Sequence, residues 1–281
     1  MLKCILFLLS ESYDMAHKEY QSAIVSKLER VNVKFWPVGS PEPADIMEID
    51  PAHTLVVTDI PSLSNRMGQE GYFVIALYHE GNKEESFPGI RYAVEDLLSV
   101  EYSSYEEAFK RLAGIPWEIL ETERMLVRES TPGDVEEFYR IYSSPSITYY
   151  MEDLFPDREQ EMEYMKAYIE QVYGFYGFGL WTVIKKDTGQ IIGRAGLNVR
   201  EGYEIPELGF IIDVEHQRQG YGYEVCCNIL DYAREKLEFD QVQAFVDKEN
   251  QASIRLLEKL GFSCKGIAEF NTRYQYYVKV L

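Results

Sequence analysis

The sequence is short of basic residues and contains no long apolar run. Only 28 of its 281 residues are Lys or Arg, against 47 Asp or Glu, so its formal net charge is −19. An acidic surface repels phosphate backbones, and we expect no nucleic-acid partner. No stretch of about 18 apolar residues occurs, which argues against a membrane-spanning helix. We therefore expect a cytoplasmic protein with neither nucleic-acid nor membrane partners.

Cysteine is also scarce. Cys4, Cys226, Cys227 and Cys264 are irregularly spaced and form neither a disulfide framework nor a zinc set. We predict free thiols in a reducing compartment and no bound metal. Apolar residues, at 46% of the chain, are by contrast numerous enough to build packed cores.

The length fits two domains of roughly 100–200 residues each. The first part alternates short apolar runs with helical patterns and ends at a Gly114-Ile115-Pro116 helix stop. Its predicted strands are Leu2–Leu9, Val31–Trp36, Thr54–Thr58, Tyr72–Leu77 and Ile90–Val94, and a helix is expected over Ser12–Arg30. Apolar strands separated by helices indicate a parallel sheet covered on both faces. We assign residues 1–118 to a Rossmann-like α/β domain.

This first domain carries no complete catalytic motif. It is vaguely similar to HAD-like and receiver-like folds, but the Asp-x-Asp of a HAD phosphatase is absent, as are dinucleotide and Walker loops. Asp59, His79 and Asn82 follow predicted strands, where parallel sheets bind ligands. The same residue types also cap helices or satisfy loops, so both interpretations stay open. A degenerate binding or dimerising module fits these features, and a fused HAD-like hydrolase is disfavoured.

The second part, residues 119–281, reads as mixed α/β. Its predicted strands are Met125–Arg128, Leu180–Lys185, Gln190–Leu197, Glu207–Val214, Val242–Val246 and Tyr274–Val280, with helices over Tyr221–Leu237 and Asn250–Leu260. Between one strand and one helix lies a loop bearing Gly220 and Gly222. Glycine lets backbone N–H groups crowd around an anion, and the helix adds its positive end. The segment is typical of a diphosphate site, although two glycines also serve ordinary turns.

Two spaced motifs sharpen this interpretation. The loop contains Gln217-Arg218-Gln219-Gly220-Tyr221-Gly222, which fits the pattern Q/R-x-x-G-x-G/A. Downstream lies Asn250-Gln251-Ala252-Ser253, on a helix that ends in Lys259-Leu260-Gly261-Phe262. Together they resemble the two signatures of the GNAT acetyltransferase superfamily. The entrance strand, Thr122–Arg128, is similar to that of its RimJ/RimL-like branch, and the resemblance covers about residues 119–281.

The resemblance implies a mixed α/β sheet that splays at a site for acetyl-CoA. The diphosphate would lie on the loop, and the pantetheine arm would pair with backbone groups of Ile212 and Val214. Asn250 would bond the arm, cap its helix, or do both. The implied cofactor-binding residues are Ile212, Val214, Gln217, Arg218, Gln219, Gly220, Tyr221, Gly222 and Asn250.

The implied reaction is direct attack of a primary amine on the acetyl carbonyl in a ternary complex. An amine is protonated at pH 7, so a base is needed, and Glu207 is the candidate, the alternative being an ordinary strand-end carboxylate. Leu257 stands at the position where much of the superfamily has a tyrosine that acts as general acid and protonates the departing thiolate. Ser253 could instead donate to the sulfur. Three tyrosines near the C-terminus are further candidates: Tyr274, Tyr276 and Tyr277.

The acceptor is less well defined. Aromatic residues are frequent in 143–155 and 164–178, where this family has its acceptor walls, and such walls suit cationic amines. The same tyrosines would equally serve as core packing. We expect an N-acetyltransferase that acts on a small-molecule amine or a protein N-terminus, the alternative being a silent CoA-binding sensor or scaffold. Whether two copies form a homodimer stays open.

Overall fold

The structure, a computed structural model, describes residues 1–16, 20–37, 49–151 and 153–281. The chain divides into two compact units, Met1–Ile115 and Pro116–Leu281. This division falls at the Gly114-Ile115-Pro116 helix stop, slightly before the predicted boundary after residue 118. Within the described ranges, no helix is both long enough and apolar enough to cross a bilayer.

The first unit is built on a parallel sheet with the order β2-β1-β3-β4-β5. Its elements are β1 (Cys4–Leu9), α1 (Glu11–Ala16), α2 (Tyr20–Lys27), β2 (Asn32–Pro37), β3 (Thr54–Thr58), α3 (Pro61–Gln69), β4 (Phe73–Leu77), β5 (Ala93–Val94) and α4 (Tyr102–Leu112). Strand β1 is buried along its whole length because apolar clusters pack on both of its faces. The Rossmann-like parallel sheet is confirmed, and the single helix predicted over Ser12–Arg30 is described as α1 and α2, with 17–19 outside the described residues.

Asp59, His79 and Asn82 meet at the carboxyl edge of this sheet. The Asp59 carboxylate accepts hydrogen bonds from the Ser10 N–H at 2.8 Å and the Ser10 hydroxyl at 2.5 Å, and lies 3.2 Å from His79 Nε2. Asn82 Nδ2 donates to the carbonyls of Asp59 and Leu77 at 3.0 and 2.9 Å. These polar groups satisfy one another's hydrogen-bonding capacity, as expected if they are loop residues with a structural role.

The second unit contains an eight-stranded mixed sheet in the order β12-β13-β11-β10-β9-β8-β7-β6. The strands are β6 (Glu118–Glu121), β7 (Met125–Arg128), β8 (Leu180–Lys185), β9 (Ile191–Asn198), β10 (Glu207–Ile212), β11 (Gln241–Asp247), β12 (Ser263–Ile267) and β13 (Tyr274–Val280). The helices are α5 (Val135–Tyr142), α6 (Pro145–Thr148), α7 (Arg158–Tyr168), α8 (Gly174–Tyr176), α9 (Tyr221–Glu235) and α10 (Gln251–Lys259), with a π-helical turn over Ile169–Tyr173. This architecture confirms the predicted mixed α/β fold.

The sheet opens between its two central parallel strands. Strands β9 and β10 are registered along all of β10, but β10 and β11 share one registered pair, Glu207 with Gln243. Beyond that pair the two strands diverge, which is the predicted splay. Residues of α9 and α10 pack on one face of the sheet around Leu208 and Val246, whereas α5 packs on the other around Ile211. The opening is thereby held between two rigid layers.

Candidate functional site

Strand β10 ends earlier than predicted. Asp213 accepts a hydrogen bond from the Glu215 N–H at 3.3 Å and caps a 3₁₀ turn over Val214–His216. Val214 therefore lies in a turn and does not continue the strand over Glu207–Val214. An Asp side chain can bond to nearby backbone N–H groups and so favour a turn over a strand. The apolar pattern of the sequence does not reveal this effect.

The last backbone groups of β10 face the opening. On one side of the strand Asp213 N–H donates to Ile192 at 2.8 Å, and on the other Pro206 accepts from Gln243 N–H at 2.9 Å. Because this direction alternates along a strand, the N–H and C=O of Ile212 point towards β11. The Ile212 carbonyl accepts one hydrogen bond, from Gln217 Nε2 at 2.9 Å.

The glycine loop ends in an N-terminus suited to an anion. Arg218 and Gly220 both have positive φ, 58° and 88°, and Gly220 caps α9 with no side-chain bond. The first N–H groups of an α-helix have no acceptor within the helix, so those of Tyr221, Gly222 and Tyr223 can serve a ligand, whereas the Glu224 N–H donates to the Gly220 carbonyl at 3.0 Å. A Cβ at Gly222 would make only ordinary contacts, 3.4 Å from Leu256. Packing alone does not require glycine there, whereas close approach of a ligand to the backbone would.

A clamp missed by sequence reasoning holds this loop. Arg124 donates from Nε to Glu224 at 2.7 Å and from Nη1 to the Gln219 carbonyl at 3.0 Å. Its guanidinium lies 4.2 Å from the ring centroid of Tyr221. Thr122 donates its hydroxyl hydrogen to Glu224 at 2.6 Å. Burial opposes ionisation of Glu224, but the hydrogen bonds from Thr122 and Arg124 outweigh it and lower the pKa of the carboxyl group.

The second signature lies at the start of α10. Asn250 caps this helix, because its Oδ1 accepts the Ser253 N–H at 3.1 Å. The capping role of Asn250 uses the amide oxygen, which leaves Nδ2 as a separate donor for a ligand. Asn250 is itself positioned by β11, since its N–H donates to the Asp247 carbonyl at 2.8 Å. Ser253 is half-buried one turn into the helix.

Glu207 lies at the apex of the opening and is ion-paired. Arg200 donates from Nε and Nη2 to its two carboxylate oxygens at 2.6 and 3.1 Å. The bidentate pair fixes the orientation of the carboxylate, and each oxygen keeps a second lone pair. Arg200 belongs to neither of the two sequence motifs, although it contacts the candidate base directly. Its only local signal is that it lies in the connection that leads into the cofactor strand.

Other candidates belong to the core or to the far side of the cleft. Leu257 is buried in the core, and its side chain has no proton to donate. Tyr277 is buried too, with its hydroxyl 3.3 Å from Gln275, so it serves packing. Arg273 pairs with the buried Asp247 and donates to the Tyr149 carbonyl at 2.8 Å. The loop after α6 is thereby tied to β11.

Comparison with known proteins decides the family. The family model described as the acetyltransferase (GNAT) domain matches residues 124–263. The chain is 30% identical over 151 residues to YoaA of Bacillus subtilis, an uncharacterized N-acetyltransferase, in a match covering 53% of this chain and 85% of that one. The chain belongs to the GNAT acetyltransferase family. This GNAT protein is thus an acetyl-CoA-dependent N-acetyltransferase, as the two signatures predict.

Further relatives of this GNAT acetyltransferase agree. It is 28% identical over 152 residues to p20 of Bacillus licheniformis, an uncharacterized N-acetyltransferase, covering 53% of this chain and 85% of that one. An acetyltransferase of Agrobacterium tumefaciens shares the fold with a TM-score of 0.51 at 22% identity, covering 58% of this chain and 94% of that structure. A ribosomal-protein alanine acetyltransferase of Vibrio fischeri gives 0.50 at 16%, covering 57% and 95%. The matched part corresponds in extent to the second unit.

No group of three or more His, Cys, Asp or Glu residues is arranged to hold a metal ion within the described part of the chain. The arrangement that fits the GNAT cofactor is instead the opening between β10 and β11, bordered by the N-terminus of α9. The Ile212 N–H and the second lone pair of the Ile212 carbonyl match an amide-containing arm, and helix N–H groups match a diphosphate.

Removing the charge of Glu224 tests the clamp. Glu224→Gln should weaken acetyl-CoA binding by roughly 10–100-fold, because bonds to a charged group contribute about 1.5–3 kcal/mol. Titration calorimetry measures this loss. Since the pKa of Glu224 is lowered, its carboxyl group stays ionised at any pH above the ordinary pKa of a glutamate, about 4.3. It becomes protonated only at lower pH. Protonation of Glu224 should therefore not weaken acetyl-CoA binding to the wild type as the pH drops from about 8 to about 5.

A matched control lies on the same helix. Glu235, at the C-terminal end of α9, pairs with Arg234 at the surface at 3.0 Å. Glu235→Gln should bind acetyl-CoA as the wild type does. Equal affinities for both variants and the wild type would show that the clamp does not shape the loop.

Proposed function

We propose that the second unit transfers the acetyl group of acetyl-CoA to a primary amine, of a small molecule or a protein N-terminus, by direct attack in a ternary complex. The observation that carries this proposal is the opening between β10 and β11 beside the N-terminus of α9, which has a glycine N-cap and no side-chain cap bond. Acetyl-CoA supplies an activated thioester, so no protein nucleophile is needed. All the residues assigned to the reaction lie in the second unit.

The cofactor would be held mostly by backbone groups. Loop N–H groups from Arg218 to Gly222 bind the diphosphate, and Arg124 fixes their arrangement from behind. Ile212 and Asn250 line opposite sides of the opening and donate to or accept from the pantetheine amides. Gln217 and Gln219 shape the loop through their side chains, which donate to the carbonyls of Ile212 and Glu215 at 2.9 and 2.8 Å. Val214 contributes only through the turn that follows the strand.

Glu207 would take up the proton of the attacking amine. It stands where the two central strands meet, and a ligand entering the opening from the loop runs towards it. Its pairing with Arg200 leaves one lone pair on each oxygen for an ammonium hydrogen. Proton removal is required because an aliphatic amine has a pKa of about 10.4.

Ser253 would donate a hydrogen bond to the leaving sulfur. It lies one helical turn after Asn250, so both side chains share the face of α10 at its N-terminus. The buried Leu257 offers no proton. A thiolate is a weak base, with an ordinary pKa of about 8.5, so a hydrogen bond stabilises it as it leaves and water then supplies the proton of the free thiol.

The deciding experiment measures binding and turnover on the full chain. Titration calorimetry with acetyl-CoA establishes the cofactor site, and release of free thiol is then followed with a panel of amines and peptide N-termini. We expect binding and amine-dependent thiol release. Binding without release for any amine would favour the alternative, a CoA-dependent sensor or scaffold. Absence of binding would overturn both.

A further inference from the structure

Arg200 places its guanidinium between two aromatic rings and a shielded carboxylate, in an open arrangement where the Arg200 side chain is 37% exposed and Phe270 is 47% exposed. The guanidinium carbon is 5.0 Å from the ring centroid of Phe245 and 4.7 Å from that of Phe270. Two of its nitrogens donate to the carboxylate of Glu207, whose side chain is 12% exposed. Aromatic faces beside a shielded carboxylate form the combination that binds organic cations. We call Glu207, Phe245 and Phe270 the cation cage.

The walls of the cation cage are supported by other rings. Phe245 stacks on Tyr276 with centroids 5.1 Å apart and an interplanar angle of 19°. Tyr203 packs edge-on against Phe245 at 4.9 Å and against Phe270 at 6.4 Å. Phe245 and Phe270 contact each other at 5.1 Å. These contacts hold the rings without Arg200, so the cage is expected to persist when that side chain is removed.

The cation cage borders the cleft where an acceptor amine must approach. Glu207 belongs to the single registered pair between β10 and β11. Phe245 lies two residues beyond its partner Gln243 and therefore faces the same side of the sheet. A group attached to the attacking amine would meet the cage directly.

We propose that Arg200 is a built-in occupant of the cation cage and so selects acceptors whose chain carries a neutral or anionic group beside the amine. This inference rests on the proposed acetyl transfer. A second cationic group could enter the cage only by displacing Arg200, with loss of two charge-assisted hydrogen bonds and two ring contacts. A neutral or anionic group leaves these interactions intact. Selection against polycations is the opposite of what the acidic composition suggests.

The first experiment tests the cage without any turnover. Arg200→Ala empties the cage, and ethylguanidinium, a fragment of the missing side chain, is titrated into the full-length variant with the thermal unfolding temperature as readout. We expect ethylguanidinium to stabilise Arg200→Ala and to bind it roughly tenfold or more tightly than it binds the wild type. Equal responses of the two proteins would overturn the cage.

Two further variants serve as controls. Arg158 also pairs with a carboxylate, Glu136, and lies 4.6 Å from the ring of Tyr139, but Glu136 is exposed and Tyr139 is the one ring beside this guanidinium among the described residues. Arg158→Ala should not respond to ethylguanidinium. In Arg200→Ala, the additional change Phe270→Leu should abolish the response. An unchanged response in that double variant would contradict an aromatic cage.

The second experiment tests selectivity and begins with the wild type. Butylamine, diaminobutane and γ-aminobutyrate each contain four carbons, and their distal groups are a neutral methyl, a cationic ammonium and an anionic carboxylate. Thiol release by the wild type should give diaminobutane a kcat/KM roughly tenfold or more below that of butylamine. Arg200→Gln, which fills the space without charge, should remove that gap and lower the relative rate with γ-aminobutyrate.

The two proposals fail in distinguishable ways. Diaminobutane turned over as well as butylamine by the wild type would overturn selection by Arg200 and leave acetyl transfer intact. If no amine releases thiol, the proposed function fails, whereas the ethylguanidinium titration still decides whether the cage exists.

Discussion

Gly220→Glu is expected to abolish acetyl-CoA binding. The backbone of Gly220 is left-handed, with φ 88°, at the N-cap of α9, so any side chain there is strained by about 1–2 kcal/mol. A Cβ would lie 3.3 Å from Arg124 Nη2, inside the clamp. The added carboxylate would also face the diphosphate, and two like charges about 4 Å apart repel by about 4 kcal/mol at the effective dielectric of a protein surface. The affinity measured by calorimetry should fall by roughly a hundredfold or more.

Gly189 provides the control for this substitution. It too has a left-handed backbone, with φ 70°, lies in the β8–β9 hairpin turn, and has nothing within 4 Å of an added Cβ. Gly189→Glu therefore adds the same charge and the same strain away from the loop, and should bind acetyl-CoA normally. If Gly220→Glu bound as tightly as Gly189→Glu, the loop would not be the diphosphate site.

The loop could be predicted from the sequence because its determinants are local. An apolar strand, two glycines and an amphipathic helix follow one another directly, and each has a local physical reason. The same holds for the cap on α10, where Asn250 and Ser253 are three residues apart. In such segments the local sequence predicts both the backbone geometry and the backbone N–H groups that remain unpaired.

The charged partners of the site could not be predicted. Arg124 and Glu224 are 100 residues apart in sequence, and nothing near either of them indicates the pairing. Arg200 lies close to Glu207 in sequence, but the rings that surround it come from β11 and from the connection between β12 and β13. The tertiary structure determines which charged side chains lie close enough to pair, and the local sequence does not indicate it.

The edges of the second sheet were also missed, for a different reason. All five residues of β12 are exposed, so the strand has no apolar alternation to detect. Strand β6 has charged residues at both ends, Glu118 and Glu121. Edge strands are often polar and short because an exposed apolar edge would invite pairing with other chains. The central strands, buried on both faces, were the predictable ones.

Glu207→Gln is expected to lower kcat by roughly 10²–10⁴-fold, the usual contribution of a general base. Glutamine keeps the shape of the side chain and one acceptor for Arg200, but it cannot take a proton. The KM for acetyl-CoA should stay unchanged, because the proposed cofactor contacts lie at the other end of β10. Glu204→Gln, at a nearby exposed carboxylate, should retain wild-type kcat.

The pH dependence separates a base from a residue that only positions Arg200. Aliphatic amines lose their own proton as the pH approaches about 10, and then they no longer need a base. If Glu207 removes the proton, the ratio of wild-type to Glu207→Gln kcat should shrink as the pH rises from about 7 to about 10. A positioning role predicts a ratio that is independent of pH. A constant ratio, or a variant that turns over as fast as the wild type at neutral pH, would exclude Glu207 as the base and leave its pairing with Arg200 as its contribution.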